Sequence, residues 1–255
     1  MMLSRISAVC LLATLRVLCQ PPQGGPPVSA SHLHLNAADP DASIAFWKNV
    51  VGASTLTADS FSGVGMSGAT ILFTKKAPTG SSAGTGINHL AVRVPDLGPI
   101  VDNLAKTKFK NSHPEGDKTR LMIEAPEGLL LEVVEDSSMY TSLEYSHTHL
   151  QSSQPKEMQA WYVKNLSGRP AGDTGDSVQF PGAMLTFTQG DAGAPTLDRA
   201  IDHIGFEVKD LAGIAKKLTD AGAKLESPAH PEPKMNATVA VLTDPWGVRL
   251  ELIQR

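Results

Sequence analysis

Cysteine is nearly absent from this 255-residue chain: there are two, Cys10 and Cys19, both within the first twenty residues. A long apolar run is also missing. The best candidate, Ile6–Leu15, follows Arg5 and is too short to cross a bilayer. Charge is nearly balanced at a formal net of −4, so neither nucleic acid nor an anionic membrane finds an electrostatic footprint. The first thirty residues read as a leader: Arg5, the apolar segment, a Pro/Gly/Gln-rich spacer, then Val28-Ser29-Ala30 as a small-residue cleavage site. Residues 1–30 are accordingly assigned to a signal peptide or disordered leader. Export to a periplasm or exterior is the expectation if it is cleaved, and a cytoplasmic location otherwise. Removing it leaves no cysteine, which excludes disulfides and thiol chemistry from the mature chain.

What is present is repetition. All eight histidines fall into matched pairs: His32 with His147, His34 with His149, His89 with His203, and His113 in "SHPEG" with His230 in "AHPEP". "GLLLEVV" matches "GVRLELI", setting Glu132 against Glu251, and "GATILFT" matches "GAMLTFT". The chain is a duplication with halves at about 31–138 and 144–255. Each half divides again. "SHLHLNAADPDASIAFW", "NHLAVRVPDLGPIVDNL" and "DHIGFEVKDLAGIAKKL" share an opening histidine, an alternating strand, and then an aspartate, Asp39, Asp96 or Asp210, at a helix N-cap position. The segment opening at His147 keeps the layout with Gln154 in the aspartate's place. Short β-like runs divided by glycine-rich turns follow each helix, giving a βαβββ unit four times. The aromatic pairs Phe46-Trp47 and Trp161-Tyr162 are read as helix-to-sheet core.

Four such modules, the His-apolar-x-apolar openings and the ending "DPWGVRLEL" resemble the vicinal oxygen chelate superfamily, which includes glyoxalase I, extradiol dioxygenases and bleomycin-resistance proteins. The resemblance implies an α+β fold of two tandem barrel-like domains, 31–138 and 144–255, each cupping a central site. It further implies a divalent ion, Fe(II), Mn(II) or Zn(II), in a two-histidine, one-carboxylate site. Taken half by half, the ligand sets are His147, His203 and Glu251, and His32, His89 and Glu132. The second set of duties, substrate-facing or acid–base, falls to His149 and His34, with His230 and His113 as further acid–base candidates. Glyoxalase-like members add a second carboxylate where this chain has Leu72 and Thr186, and ring-cleaving members carry a tyrosine on a strand that here reads "ATVAVLTDP". The expected function is a metal-dependent dioxygenase or lyase acting on a small oxygen-bearing molecule, as a monomer or homodimer. The competing expectation is a metal-free protein that binds or sequesters a small ligand.

Overall fold

The structure, a computed structural model, describes residues 27–58 and 61–255. Cys10, Cys19 and most of the expected leader lie outside the described residues. The four modules are all present. The first contains strands β1 (Val28–Ala37), β2 (Ser54–Ala58), β3 (Phe61–Met66) and β4 (Ala69–Lys75), with helix α1 (Pro40–Phe46) after β1. The second contains β5 (Ile87–Val94), α2 (Gly98–Leu104), β6 (Asn111–Ser112), β7 (Arg120–Glu124) and β8 (Leu130–Glu135). The third runs through β9 (Glu144–Ser152), α3 (Pro155–Leu166), β10 (Arg169–Ala171), β11 (Ser177–Phe180) and β12 (Ala183–Gln189). The fourth runs through β13 (Ile201–Val208), α4 (Leu211–Asp220), β14 (Lys224–Glu232), β15 (Ala237–Thr243) and β16 (Arg249–Gln254). None of the described helices is long and apolar enough to cross a membrane.

Side-chain capping explains where α1 and α4 start, while α2 begins after Leu97, one residue beyond Asp96, without a side-chain cap. The side chain of Asp39 accepts from the Ala42 amide at 3.1 Å, and that of Asp210 from the Gly213 amide at 2.9 Å. Pro40 and Pro155 occupy the first helical positions, where a missing N–H costs nothing. Asp96 accepts from the Gly98 amide at 2.8 Å, whereas the Gln154 side chain makes no cap bond. Phe46, Trp47, Trp161 and Tyr162 are all buried, as expected of core residues.

The strand pairing departs from the expected domain pairing. One eight-stranded sheet has the order β14-β15-β16-β13-β1-β4-β3-β2, and the other β10-β11-β12-β9-β5-β8-β7-β6. Modules one and four therefore share a sheet, and so do modules two and three. The seams are the antiparallel pairs β1–β13 and β5–β9. A direct link, residues 136–143, joins the inner modules. The outer modules are brought together by two connections, 76–86 and 190–200, which run side by side. Gly86 donates to the Ala194 carbonyl at 3.0 Å, Ala194 to that of Gly84 at 3.0 Å, and Thr79 to that of Asp198 at 2.7 Å. The backbones approach so closely that a Cβ on Gly193 would lie 2.6 Å from the Gly86 nitrogen.

The first strand also begins earlier than the sequence suggests. Val28 is buried, and Val28, Ser29 and Ala30 pair with Val208, Glu207 and Phe206. A cut after Ala30 would remove three residues of strand β1.

Candidate metal centres

Alternation along β1 decides which side chains meet. Leu33 and Leu35 are buried on the side facing the helices, so His32 and His34 project together from the other face. The same holds for His147 and His149, which alternate with the buried Thr148 and Leu150 on β9. At the first seam His34 lies opposite His203 and His32 opposite Gly205; Gly205 in turn is the neighbour of Glu251 on β16. The second seam repeats this with His149 opposite His89, His147 opposite Ala91, and Ala91 beside Glu132.

The result is two clusters whose membership corrects the half-by-half sets. The first gathers His32, His34, His203 and Glu251, and the second His89, His147, His149 and Glu132. His147 does not meet His203 and Glu251, and His32 does not meet His89 and Glu132, because each seam joins modules from different halves. In each cluster three histidines offer ring nitrogens within 4.8 Å of one another. In the first, Glu251 Oε2 lies 3.5 Å from His32 Nε2 and 3.8 Å from His203 Nε2. In the second, Glu132 Oε2 lies 3.4 Å from His89 Nε2 and 3.6 Å from His147 Nε2. Donors held about 2.1 Å from one ion sit roughly 3–3.5 Å apart, so these spacings suit a shared metal after a small contraction.

Gly205 has a clear steric reason. A Cβ there would fall 2.5 Å from Nδ1 and Cε1 of His32. Its absence lets the His32 ring lie across β13 toward Glu251.

The electrostatics favour ligation. Burial, followed by the neighbouring histidines, holds His32 well below its ordinary value and His34 at about 3. Burial also lowers His147 to about 4 and His149 to about 3. These imidazoles are therefore neutral near pH 7, which is the ligating form. The second nitrogens are anchored. His34 Nε2 is hydrogen-bonded to Thr74 Oγ1 at 2.6 Å and His149 Nε2 to Thr188 Oγ1 at 2.7 Å. His203 Nδ1 donates to the Asp202 carboxylate at 2.7 Å, and His89 Nδ1 to the Asn88 amide oxygen at 2.9 Å. What remains is a set of buried polar atoms with no hydrogen-bond partner: His32 Nε2, His203 Nε2 and Glu251 Oε2 in one cluster, His89 Nε2, His149 Nδ1 and Glu132 Oε2 in the other. Each such atom costs about 1–3 kcal/mol when left unsatisfied, and an ion among them would satisfy all at once. The residues present thus fit a divalent cation.

The two carboxylates differ. Burial pushes Glu251 up, only partly offset by the charges of His203, Arg249 and His230. Burial acts on Glu132 in the same direction, but His89 and Arg120 outweigh it and bring the carboxyl to about 2. Arg120 Nε donates to Glu132 Oε1 at 2.6 Å.

The further acid–base candidates, His230 and His113, are members of neither cluster. His230 is exposed on β14 and turns its Nδ1 to the Pro228 carbonyl at 2.9 Å. His113 is exposed and donates to the Arg120 carbonyl at 2.7 Å. Leu72 and Thr186 sit directly beside His34 and His149, on β4 and β12. Beside the first cluster opens a cavity of about 640 Å³, bordered by His34, Asp39, Asp41, Thr74, Lys75 and Lys234. Sequence reasoning missed Asp202, Arg249, Arg120, Thr74 and Thr188. The only available signal was the residue before each opening histidine, Asp202 in "DHIGFEV" and Asn88 in "NHLAVRV".

A family model described as Glyoxalase/Bleomycin resistance protein/Dioxygenase superfamily matches residues 29–133 and 145–252. No curated protein matches the sequence. Among solved structures, the V278E variant of glyoxalase I from Zea mays is similar with a TM-score of 0.71 at 16% identity, covering 89% of this chain and 92% of that one. The E144Q variant of the same maize protein gives 0.68 at 15%, covering 89% and 94%. The cppA protein from Streptococcus pneumoniae gives 0.53 at 16%, covering 89% and 99%. At such identities the likeness concerns the fold.

Proposed function

The chain belongs to the glyoxalase/bleomycin resistance protein/dioxygenase superfamily, and on that premise we propose that it is a divalent-metal-dependent enzyme acting on a small molecule with two neighbouring oxygens. The observation that carries this reading is the convergence of buried, partnerless histidine nitrogens and carboxylate oxygens in each cluster. In the first, His32, His203 and Glu251 would hold the ion through Nε2 and Oε2. His34 would add Nδ1 as a further donor, since Thr74 already engages its Nε2. In the second, His89, His147 and Glu132 form the corresponding set, with His149 adding Nδ1. His34 and His149 thus stand beside the positions where glyoxalase-like members place a second carboxylate. Three neutral imidazoles and one carboxylate leave Fe(II), Mn(II) or Zn(II) with a residual positive charge. Bound there, the ion would supply Lewis-acid polarisation of chelating substrate oxygens.

The protein's own groups then have definite tasks. Asp202 and Asn88 fix the ring orientation of His203 and His89. Thr74 and Thr188 do so for His34 and His149. The cavity beside His34 is of a size that suits a small molecule, and its border of Asp39, Asp41, Lys75 and Lys234 suits a polar one. Export belongs to the same proposal, resting on Arg5 and the apolar run; it requires cleavage ahead of Val28. N-terminal sequencing of the mature protein tests it, and a start beyond Val28, or an intact N-terminus, overturns that part.

Metal analysis of the purified protein tests the central reading. Near-stoichiometric iron, manganese or zinc is expected, diminished in His203→Ala. Saturating metal should raise stability, by about 2.7 kcal/mol at one hundred times the dissociation constant. Absence of bound metal after anaerobic reconstitution, with stability unchanged by EDTA, sides with a metal-free ligand-binding protein of the same fold.

A further inference from the structure

The two clusters repeat the same ligands but not the same surroundings. In the first, His203 leans on a carboxylate. Asp202 is buried, accepts from His203 Nδ1 at 2.7 Å, and is held in place by Arg249 Nη1 at 2.5 Å, the Asp198 amide at 2.8 Å and Asn36 Nδ2 at 3.2 Å. Arg249 does not neutralise this shell, because it is shared with Glu226, whose carboxylate accepts from Arg249 Nε at 2.8 Å. In the second cluster His89 leans on the neutral amide of Asn88, which is itself fixed by Gln151 at 3.0 Å. A carboxylate behind a ligating imidazole makes that imidazole a stronger donor than an amide does, and changes at this position shift metal affinity by about 10–100-fold.

The ligating carboxylates are unequal in the opposite sense of charge. Glu132 is 1% exposed and carries the Arg120 guanidinium on its Oε1, through both Nε and Nη2. Among the described residues, the groups at ion-pair distance from Glu251 are His32 and His203. A cation entering the second cluster meets a carboxylate already paired with a positive charge; one entering the first does not. The packing adds a third difference. Gly205 leaves the His32 and His203 ring centres 5.5 Å apart, while the Cβ of Ala91 occupies the corresponding place and the His147 and His89 rings are 6.1 Å apart.

From these three differences we propose that the centres are unequal: the cluster of His32, His34, His203 and Glu251 binds its divalent cation at least tenfold more tightly, and the Arg120-paired cluster is the weaker site. A cavity borders this site at His34. This rests on the metal-dependent reading above, and its test separates the two.

The experiment is a calorimetric titration of the metal-stripped full chain with Zn(II), and in parallel with Co(II) followed by its visible absorption. Two classes of site are expected, the tighter one lost in His203→Ala and the weaker one in His89→Ala. Asn88→Asp and Arg120→Gln should each tighten the weaker class about tenfold, and Asp202→Asn should weaken the tighter one. A gain of affinity is an outcome that misfolding does not produce. Two indistinguishable sites, the reverse order, or no effect of Asn88→Asp and Arg120→Gln overturns the inequality while leaving metal binding intact. No binding of either ion overturns both readings.

Discussion

His32 and Glu251, from opposite ends of the chain, approach within 3.5 Å across the seam between β1 and β13. The His32 ring that makes this contact lies where a Cβ on Gly205 would fall. Gly205→Ala should therefore act on the site rather than on the fold, because the clashing atoms belong to a side chain that can turn away. The expectation is a several-fold weaker first metal site with little change in the urea midpoint. An unchanged titration would show that the ring has room the geometry does not indicate.

Thr74 and Thr188 fix which nitrogen His34 and His149 present. Thr74→Val removes the hydroxyl while nearly preserving shape, and should lower affinity at the first site about tenfold; Thr188→Val should do so at the second. Site-resolved Co(II) spectra of the two variants check this, and crossed or absent effects would refute the assignment of Nδ1 as the ligating atom.

The close crossing of residues 76–86 and 190–200 carries a stability prediction. In Gly193→Ala the new methyl would sit 2.6 Å from the Gly86 nitrogen and 2.7 Å from the Thr85 carbonyl carbon, where only backbone can yield. A loss of about 1–3 kcal/mol is expected in equilibrium unfolding, as for other forced contacts in a packed interior. A variant as stable as the parent would mean that the two connections can separate at little cost.

Asp244 supplies a pH dependence away from the metal clusters. Burial raises its carboxyl from 3.8 to about 7, despite hydrogen bonds from the Val248 and Trp246 amides and the Tyr162 hydroxyl. A carboxyl whose folded value is raised binds its proton more tightly when folded. Its contribution to stability is complete below about 4 and is lost as pH rises through 7. Asp244→Asn should flatten that part of the stability profile, measured by urea unfolding in EDTA between pH 4.5 and 7.5. An identical slope in parent and variant would assign the dependence to other groups.

Much of this architecture was legible in the amino-acid order. The histidine pairs and the Glu132/Glu251 match picked out the side chains that gather in the two clusters, and Asp39 and Asp210 marked helix starts that their cap bonds bear out. The partner of each seam was not legible. An alternating strand such as "SHLHLNA" states which of its faces is buried, but not whether its edge meets β5 or β13, since both carry the same pattern. The surroundings of the clusters were equally hidden, because Arg120 reaches Glu132 only through the register of β7 against β8.

The seams have a consequence for each half of the chain. Each half of the chain holds an HxH strand belonging to one centre and a His–Glu pair belonging to the other, so a half in isolation has two incomplete ligand sets. Two copies of such a half, related by a two-fold axis, would complete both. Within one polypeptide the two clusters need not be identical, as Asp202 against Asn88 and Gly205 against Ala91 show.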